Sequence, residues 1–147
     1  MRYFLHQGSF DFPFPFEDHS SNALLVTNPE TNESVQVTMI RDRLESGEDL
    51  EAYVKRQLKL IAKKVPGYAE LSRKSIPIGE TGLEALQMEA RSKENGYIIS
   101  QLQTIIRMPN GVDILIATIA VPGPLSSSHK EWWAQFINSY TLPDYQA

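Results

Sequence analysis

A glutamine lies within the apolar stripe of a long helical segment, and this feature most constrains what the chain can fold into. Apolar residues recur there at steps of three and four, which predicts one buried helix face. Gln57 falls on the same face. A buried amide without a hydrogen-bond partner costs about 1–3 kcal/mol, so either the fold or a bound partner must bond Gln57. The apolar members of the stripe are Leu50, Tyr53, Val54, Leu58, Ile61 and Val65.

A later segment repeats the pattern on a strand. Gln101 and Gln103 alternate there with Ile99 and Ile105. Amides among aliphatic side chains on two elements indicate an apolar surface that also offers hydrogen bonds. Such a surface suits the binding of an apolar peptide better than it suits catalysis. The alternative, that nearby backbone groups satisfy each amide within the fold, stays open.

The composition limits the class of protein and its partners. A length of 147 residues predicts a single domain spanning residues 1–147, and 41% hydrophobic with 22% charged residues is typical of a soluble globular protein. The net charge of −4 disfavours nucleic acid as a partner, because an acidic surface repels phosphates. The absence of cysteine excludes disulfides and thiolate metal sites. No signal peptide and no apolar run near the ~20 residues of a membrane span is evident, so we expect a cytoplasmic protein.

A search for catalytic chemistry is negative. His6, His19 and His129 share no metal-ligand spacing. No glycine-rich phosphate loop precedes a helix, and no Gly-x-Ser-x-Gly elbow is present. We therefore expect no metal, no cofactor and no enzymatic activity.

The order of predicted elements indicates an α+β fold with a mainly antiparallel sheet and two helices. Ser46 is predicted to cap the first helix and Ser128 the second. Asn95-Gly96 and Asn110-Gly111 predict hairpins that join three strands into a meander. Strands are predicted over 2–6, 22–27, 34–40, 72–78, 83–91, 97–108 and 112–121, and the first helix over 46–65.

Two apolar segments need a cover. The strand Ile114 to Val121 is interrupted only by Thr118, so both of its faces must be covered. One side can take the helices, and the other needs a second layer, a dimer mate or a ligand. Four phenylalanines alternate with acidic residues and prolines over 10–17. They either cover one end of the core or anchor an interface.

Several motifs, in this order, resemble the Eag chaperones. These are cytoplasmic adaptors of bacterial type VI secretion, in a larger family related to the periplasmic DcrB proteins. The resemblance is carried by Tyr53 to Leu58 (YVKRQL) followed by Val65 to Tyr68 (VPGY). Supporting matches are Tyr3 to His6, Phe12-Pro13 with Phe16, Ile40-Arg41-Asp42, Gly96 with the glutamine-bearing strand, the final strand and the tryptophan-bearing helix.

The resemblance implies a PsbP-like fold that forms a homodimer with a curved sheet. Such dimers shield the N-terminal transmembrane helices of an effector and help load it onto the secretion spike protein. Family members use aliphatic groove residues and two glutamines, which fall by motif on Gln57 and Gln103. The alternative is a PsbP-like domain that binds some other protein partner.

The faces of the strands predict the remaining groove residues. Ile99 and Ile105 share the face of Gln103, and Thr38 could lie at the rim. Ala23 and Leu25, or else Leu24 and Val26, contribute from the second strand. A neutral amide suits such a groove because it donates and accepts hydrogen bonds and costs less to desolvate than a charge.

Overall fold

The computed structural model describes residues 1–143. The chain forms eight strands and two helices within that range. The helices are α1 (Leu50–Lys64) and α2 (Ser127–Asn138). The strands are β1 (Arg2–Leu5), β2 (Gly8–Asp11), β3 (Ser21–Thr27), β4 (Ser34–Arg43), β5 (Ala69–Pro77), β6 (Glu84–Glu94), β7 (Tyr97–Arg107) and β8 (Asp113–Pro122).

Six strands form one antiparallel sheet in the order β3-β4-β8-β7-β6-β5, and β1 pairs with β2 in a separate two-stranded sheet. This confirms the predicted α+β class and the mainly antiparallel sheet. The predicted meander is also confirmed, because β6, β7 and β8 are consecutive neighbours. The turns that join them contain Gly96 and Gly111, both with positive φ, a backbone conformation that glycine adopts without strain.

The two helices pack on opposite faces of this sheet. Trp133 and Ile137 of α2 join a core with Leu102 and Ile106 of β7. Residues of α1 join a second core, which includes Ile105 of β7. The expectation that one side of the sheet takes both helices is therefore wrong. Each helix has an apolar stripe, and each stripe covers a different face of the doubly apolar strand β8.

Both helices begin at caps other than the predicted ones. Asp49 caps α1, its carboxylate accepting a hydrogen bond of 2.8 Å from the Ala52 backbone N–H. Ser46 lies three residues before Asp49 and so does not cap the helix, which begins at Leu50. Ser126 caps α2 in a capping box with His129, two residues before the predicted Ser128.

The N-terminal arm, defined as residues 1–20, does not cover the core. Phe14 is 75% exposed and Phe4 72% exposed. Ring contacts of Phe16 lie within the arm, to Tyr3 and Phe12. The prediction that the phenylalanine segment covers one end of the core is therefore wrong, because β2 pairs with β1 and not with the six-stranded sheet.

Neither of the helices in the described part of the chain has the length and apolar character needed to cross a membrane.

Candidate binding surface

The strand register decides which side chains share a face. Residues directly opposite each other in antiparallel strands point to the same side of a sheet. One such row runs across five strands through Ala23, Thr38, Thr118, Gln103 and Met88. Met88 belongs to the core under α1, so the whole row lies on the α1 face.

The neighbouring rows contain the other predicted residues. Leu25 lies opposite Gln36, which lies opposite Ala120 of β8. The register decides which residues of β3 share a face with Gln103. Ala23 and Leu25 lie on that face, whereas Leu24 and Val26 point to the α2 face. Ile99 and Ile105 share the α1 face with Gln103 by the same alternation.

Helix α1 covers only part of its face. Ile105 is buried beneath it, with 3% of its surface exposed. Towards β3 the side chains become half-buried and then exposed, and Leu25 is 73% exposed. We call this uncovered area the open patch. It consists of Ala23, Leu25, Gln36, Thr38, Ile40, Ile99, Gln101, Gln103, Thr118 and Ala120.

A cavity of about 200 Å³ lies between α1 and the sheet, at the border of the open patch. Gln57 of α1 and Gln103 of β7 both line it, so the fold brings together two amides that are 46 positions apart. Ile105 also lines this cavity. Its other lining residues are Ile40, Asp42, Tyr53, Val54, Leu58, Ile61, Tyr68, Met88 and Ile116.

The two amides keep much of their hydrogen-bonding capacity. Gln103 Nε2 donates to Thr118 Oγ1 at 3.1 Å. Among residues 1–143, the side chain of Gln57 and the amide oxygen of Gln103 have no hydrogen-bond partner. No side-chain polar atom in that part of the chain is both unbonded and fully buried. These amide groups are therefore accessible to solvent and open to a ligand.

A strong hydrogen bond fixes the end of the cavity nearest the start of α1. The Tyr53 hydroxyl donates to Asp42 Oδ2 at 2.6 Å. Burial raises the pKa of Tyr53 well above its ordinary value, and the bond to the Asp42 carboxylate raises it further. Tyr53 therefore stays protonated and holds α1 against β4.

Arg56 of α1 and Glu48, which lies just before the helix, form an ion pair. Arg56 Nε and Nη2 donate to the two carboxylate oxygens of Glu48, each at 2.9 Å, and these bonds lower the pKa of the Glu48 carboxyl. The Arg56 guanidinium also lies 5.1 Å from the ring centroid of Tyr53. Arg56 is therefore engaged by Glu48 and Tyr53 within the fold.

A larger depression of about 760 Å³ lies away from these amides, along the loop from Arg43 to Asp49 and the turn near Gly111. Its arginines are engaged within the fold. Arg43 pairs with Asp113 at 3.2 Å, and Arg107 Nε donates to the Gly111 carbonyl at 2.9 Å. In the part of the chain that the structure describes, no three His, Asp or Glu residues are grouped to hold a metal ion. The depression therefore offers a ligand less than the smaller cavity does.

Sequence reasoning missed three polar contributors to this surface. Thr118 holds Gln103, while Asp42 and Tyr53 close the cavity. Thr118 had a usable signal, since it is the one polar residue in the apolar run from Ile114 to Val121. Asp42 belongs to a motif of the resemblance, but its bond to Tyr53 could not be predicted, because it depends on where α1 meets β4.

Comparisons with known proteins agree with this fold. A Pseudomonas aeruginosa protein of unknown function, PA94, whose description suggests a regulator, is similar over 99% of this chain and 98% of its own, with a TM-score of 0.78 and 22% identity. LpqN of Mycobacterium tuberculosis, described as involved in cell envelope biogenesis, is similar over 84% of each chain, with a TM-score of 0.54 and 15% identity. No curated protein matches the sequence. The DcrB family model matches residues 7–139, and the chain therefore belongs to the DcrB family.

Proposed function

We propose that this chain is a non-enzymatic chaperone that binds an apolar helical segment of another protein on its open patch. The observation that carries the proposal is the pair of accessible amides, Gln57 and Gln103, at one cavity beside exposed aliphatic side chains. Aliphatic residues of the open patch cover apolar surface, at about 25 cal/mol per Å² removed from water. The amides bond backbone or small polar groups that a helix leaves accessible.

The ligand we propose is the N-terminal transmembrane region of a type VI secretion effector. The support for this step is the resemblance to Eag chaperones, whose two glutamines fall on Gln57 and Gln103. In this proposal a homodimer of the chain shields the transmembrane region in the cytoplasm and helps load the effector onto the secretion spike protein. The neutral open patch fits an uncharged helix, since a charged surface would be costly to desolvate.

Binding of a synthetic transmembrane-type peptide tests the first step. The peptide has about 20 apolar residues, as a membrane span requires, with small residues on one face and lysines at its ends for solubility. Gln57→Ala and Gln103→Ala should each weaken binding about tenfold, or about 1.4 kcal/mol. Fluorescence anisotropy of a labelled peptide measures the affinity.

Gln87→Ala is the matched control. Gln87 is also half-buried on the same sheet, but it lies opposite Thr104 and so points to the α2 face. Its replacement should leave binding unchanged. Equal binding by all three variants and the wild type would contradict the proposal, as would a large fall in melting temperature with no change in affinity.

A second candidate is an envelope-associated protein that binds another partner. It is favoured by membership of the DcrB family and by the likeness to LpqN, which is described as acting in envelope biogenesis. Fractionation of cells that express the native protein separates the two candidates. A periplasmic or envelope fraction would favour the second candidate, and a cytoplasmic fraction with co-purification of a defined effector would favour the first.

A further inference from the structure

We propose that the outer side of α1 binds a short acidic segment of a partner protein, through a row of lysines that the fold leaves unpaired. We call Lys55, Lys59 and Lys63 the basic row. It is a second binding surface, separate from the open patch, and it does not depend on the proposed function.

The basic row follows one side of α1. Its three lysines are four residues apart, so they lie one above another along the helix, and all three are exposed. The residues that α1 buries pack on the sheet from the opposite side of the helix. A rise of 1.5 Å per residue places neighbouring lysines about 6 Å apart and makes the row about 12 Å long. A short segment bound there leaves the open patch free for its own ligand.

The acidic groups around α1 are bonded to arginines and not to the basic row. The helix carries five basic residues and one acidic residue, Glu51. Glu51 and Glu70 both pair with Arg73, and Glu48 pairs with Arg56. Within residues 1–143, no lysine of the basic row has an ion pair or a hydrogen bond. The positive charge of the row is therefore not neutralised by that part of the chain.

The basic row works against the stability of its own helix. Like charges four residues apart destabilise a helix, and the row contains two such pairs. The helix dipole favours a cation in the last turn, which accounts for Lys63 but not for Lys55 or Lys59. The row also stands out from the whole chain, whose net charge is −4. Acidic groups of a partner would remove the repulsion, so the row fits a partner of opposite charge.

The dimensions and surroundings of the row favour a short protein segment over a membrane. Acidic residues at alternate positions of an extended segment are about 6.6 Å apart, close to the step of the row. A helix that lies on a membrane inserts its apolar face into the lipid, whereas the apolar face of α1 is buried against the sheet. The net charge of −4 also opposes the approach of an extended anionic surface.

A labelled peptide in which Glu and Ser alternate tests the proposal. Its control is the same peptide with Gln in place of every Glu. Fluorescence anisotropy at low ionic strength should show binding of the acidic peptide and none of the control. The binding should be lost in about 1 M salt, where the screening length falls to about 3 Å.

Lys59→Glu separates binding from folding, because its two expected effects have opposite signs. A negative charge in the middle of the row should weaken binding of the acidic peptide at least about tenfold. The same charge turns both repulsive pairs of the row into attractive ones, so the melting temperature should rise by about 2 °C. Misfolding cannot produce that combination. Lys59→Arg keeps the charge and should keep the affinity.

Lys74→Glu is the matched control, because it changes the net charge of the chain by the same amount. Lys74 is an exposed residue of β5 that lies opposite Gln87, and it therefore points to the α2 face, away from α1. Its replacement should leave binding of the acidic peptide unchanged.

The inference is overturned if the wild type does not bind the acidic peptide. It is also overturned if Lys74→Glu weakens binding as much as Lys59→Glu does, since net charge alone would then explain the affinity. Co-sedimentation with vesicles that contain phosphatidylglycerol checks the membrane, and binding to the vesicles without binding to the peptide would likewise overturn it. None of these assays contains an apolar peptide, so their failure would leave the proposed function in place.

Discussion

The two faces of β7 differ in how they use their polar side chains. On the α2 face, Thr104 is fully buried and accepts a hydrogen bond of 2.9 Å from the Trp133 indole N–H. On the α1 face, Gln103 is half-buried and donates to Thr118 of β8 at 3.1 Å. The first contact is sealed within the core, whereas the second leaves an amide oxygen accessible. The polar group on the α2 face is therefore part of the packed core, whereas the polar group on the α1 face keeps unused hydrogen-bonding capacity.

The largest expected effect is the loss of the α2 core. Trp133→Ala removes a fully buried ring and should lower the free energy of unfolding by about 3–5 kcal/mol. Urea denaturation at neutral pH measures the loss. Trp132→Ala is the control on the same helix, because Trp132 is only half-buried, and its cost should be clearly smaller. Equal costs would show that the depth of burial does not set how much each tryptophan of α2 contributes to stability.

The same substitution on the two faces sharpens the comparison. Thr104→Val leaves the buried Trp133 N–H without an acceptor and should cost about 1–3 kcal/mol of folding free energy. Thr118→Val removes the acceptor for Gln103, whose amide can turn to water, and should cost less than about 0.5 kcal/mol. Chemical denaturation of both variants measures the difference. A larger cost for Thr118→Val would show that the open patch contributes more stability than the core.

The hydrogen bond from Tyr53 to Asp42 holds α1 at the border between the covered and open parts of the α1 face, and a substitution of Tyr53 tests its contribution. Tyr53→Phe removes the hydrogen bond to Asp42 and should cost about 1 kcal/mol at neutral pH. The folded pKa of Tyr53 is raised above its unfolded value near 10. The contribution of Tyr53 is therefore complete below about pH 10 and declines above it.

Denaturation of both proteins between neutral and strongly alkaline pH checks this sign. Above about pH 10 the wild type should lose stability faster than Tyr53→Phe, so the difference between them should shrink. A difference that grows with pH would contradict the assignment of the proton to Tyr53.

The smallest expected effect on stability is that of replacing the amide of Gln103. Gln103→Leu keeps the size of the side chain and adds apolar surface, so the free energy of unfolding should change by less than about 0.5 kcal/mol. Peptide affinity should nevertheless fall, because the hydrogen-bonding group is lost. Titration of the labelled peptide measures this. Tighter binding by Gln103→Leu would show that apolar contact alone selects the ligand.

Local patterns in the sequence predicted most of the sheet. The alternation in β4 and the turn glycines Gly96 and Gly111 set the strands and their order, because such signals act within a few residues. The face shared by Ala23, Thr38 and Gln103 needed the register, which links strands far apart in the sequence. Sequence periodicity could show which residues of one strand share a face, but it could not show which faces of different strands lie on the same side of the sheet.

Three features could not be predicted for physical reasons. An apolar stripe shows that a helix packs on a sheet but not on which side, so α1 and α2 could not be assigned to opposite faces. The phenylalanines of the N-terminal arm have the pattern of core residues, yet β2 pairs only with β1. The meeting of Gln57 with Gln103 at one cavity depends on how α1 lies across the strands.

The open patch contains no ionisable side chain among its ten residues, and this has a consequence for how a ligand would leave. Affinity for an apolar segment there should vary little with ionic strength or between mildly acidic and mildly alkaline conditions, because nothing on the patch gains or loses a proton. Acidification would therefore not release a bound segment from the open patch. Release would need a competing apolar environment, such as a lipid bilayer, or a force that pulls the segment away.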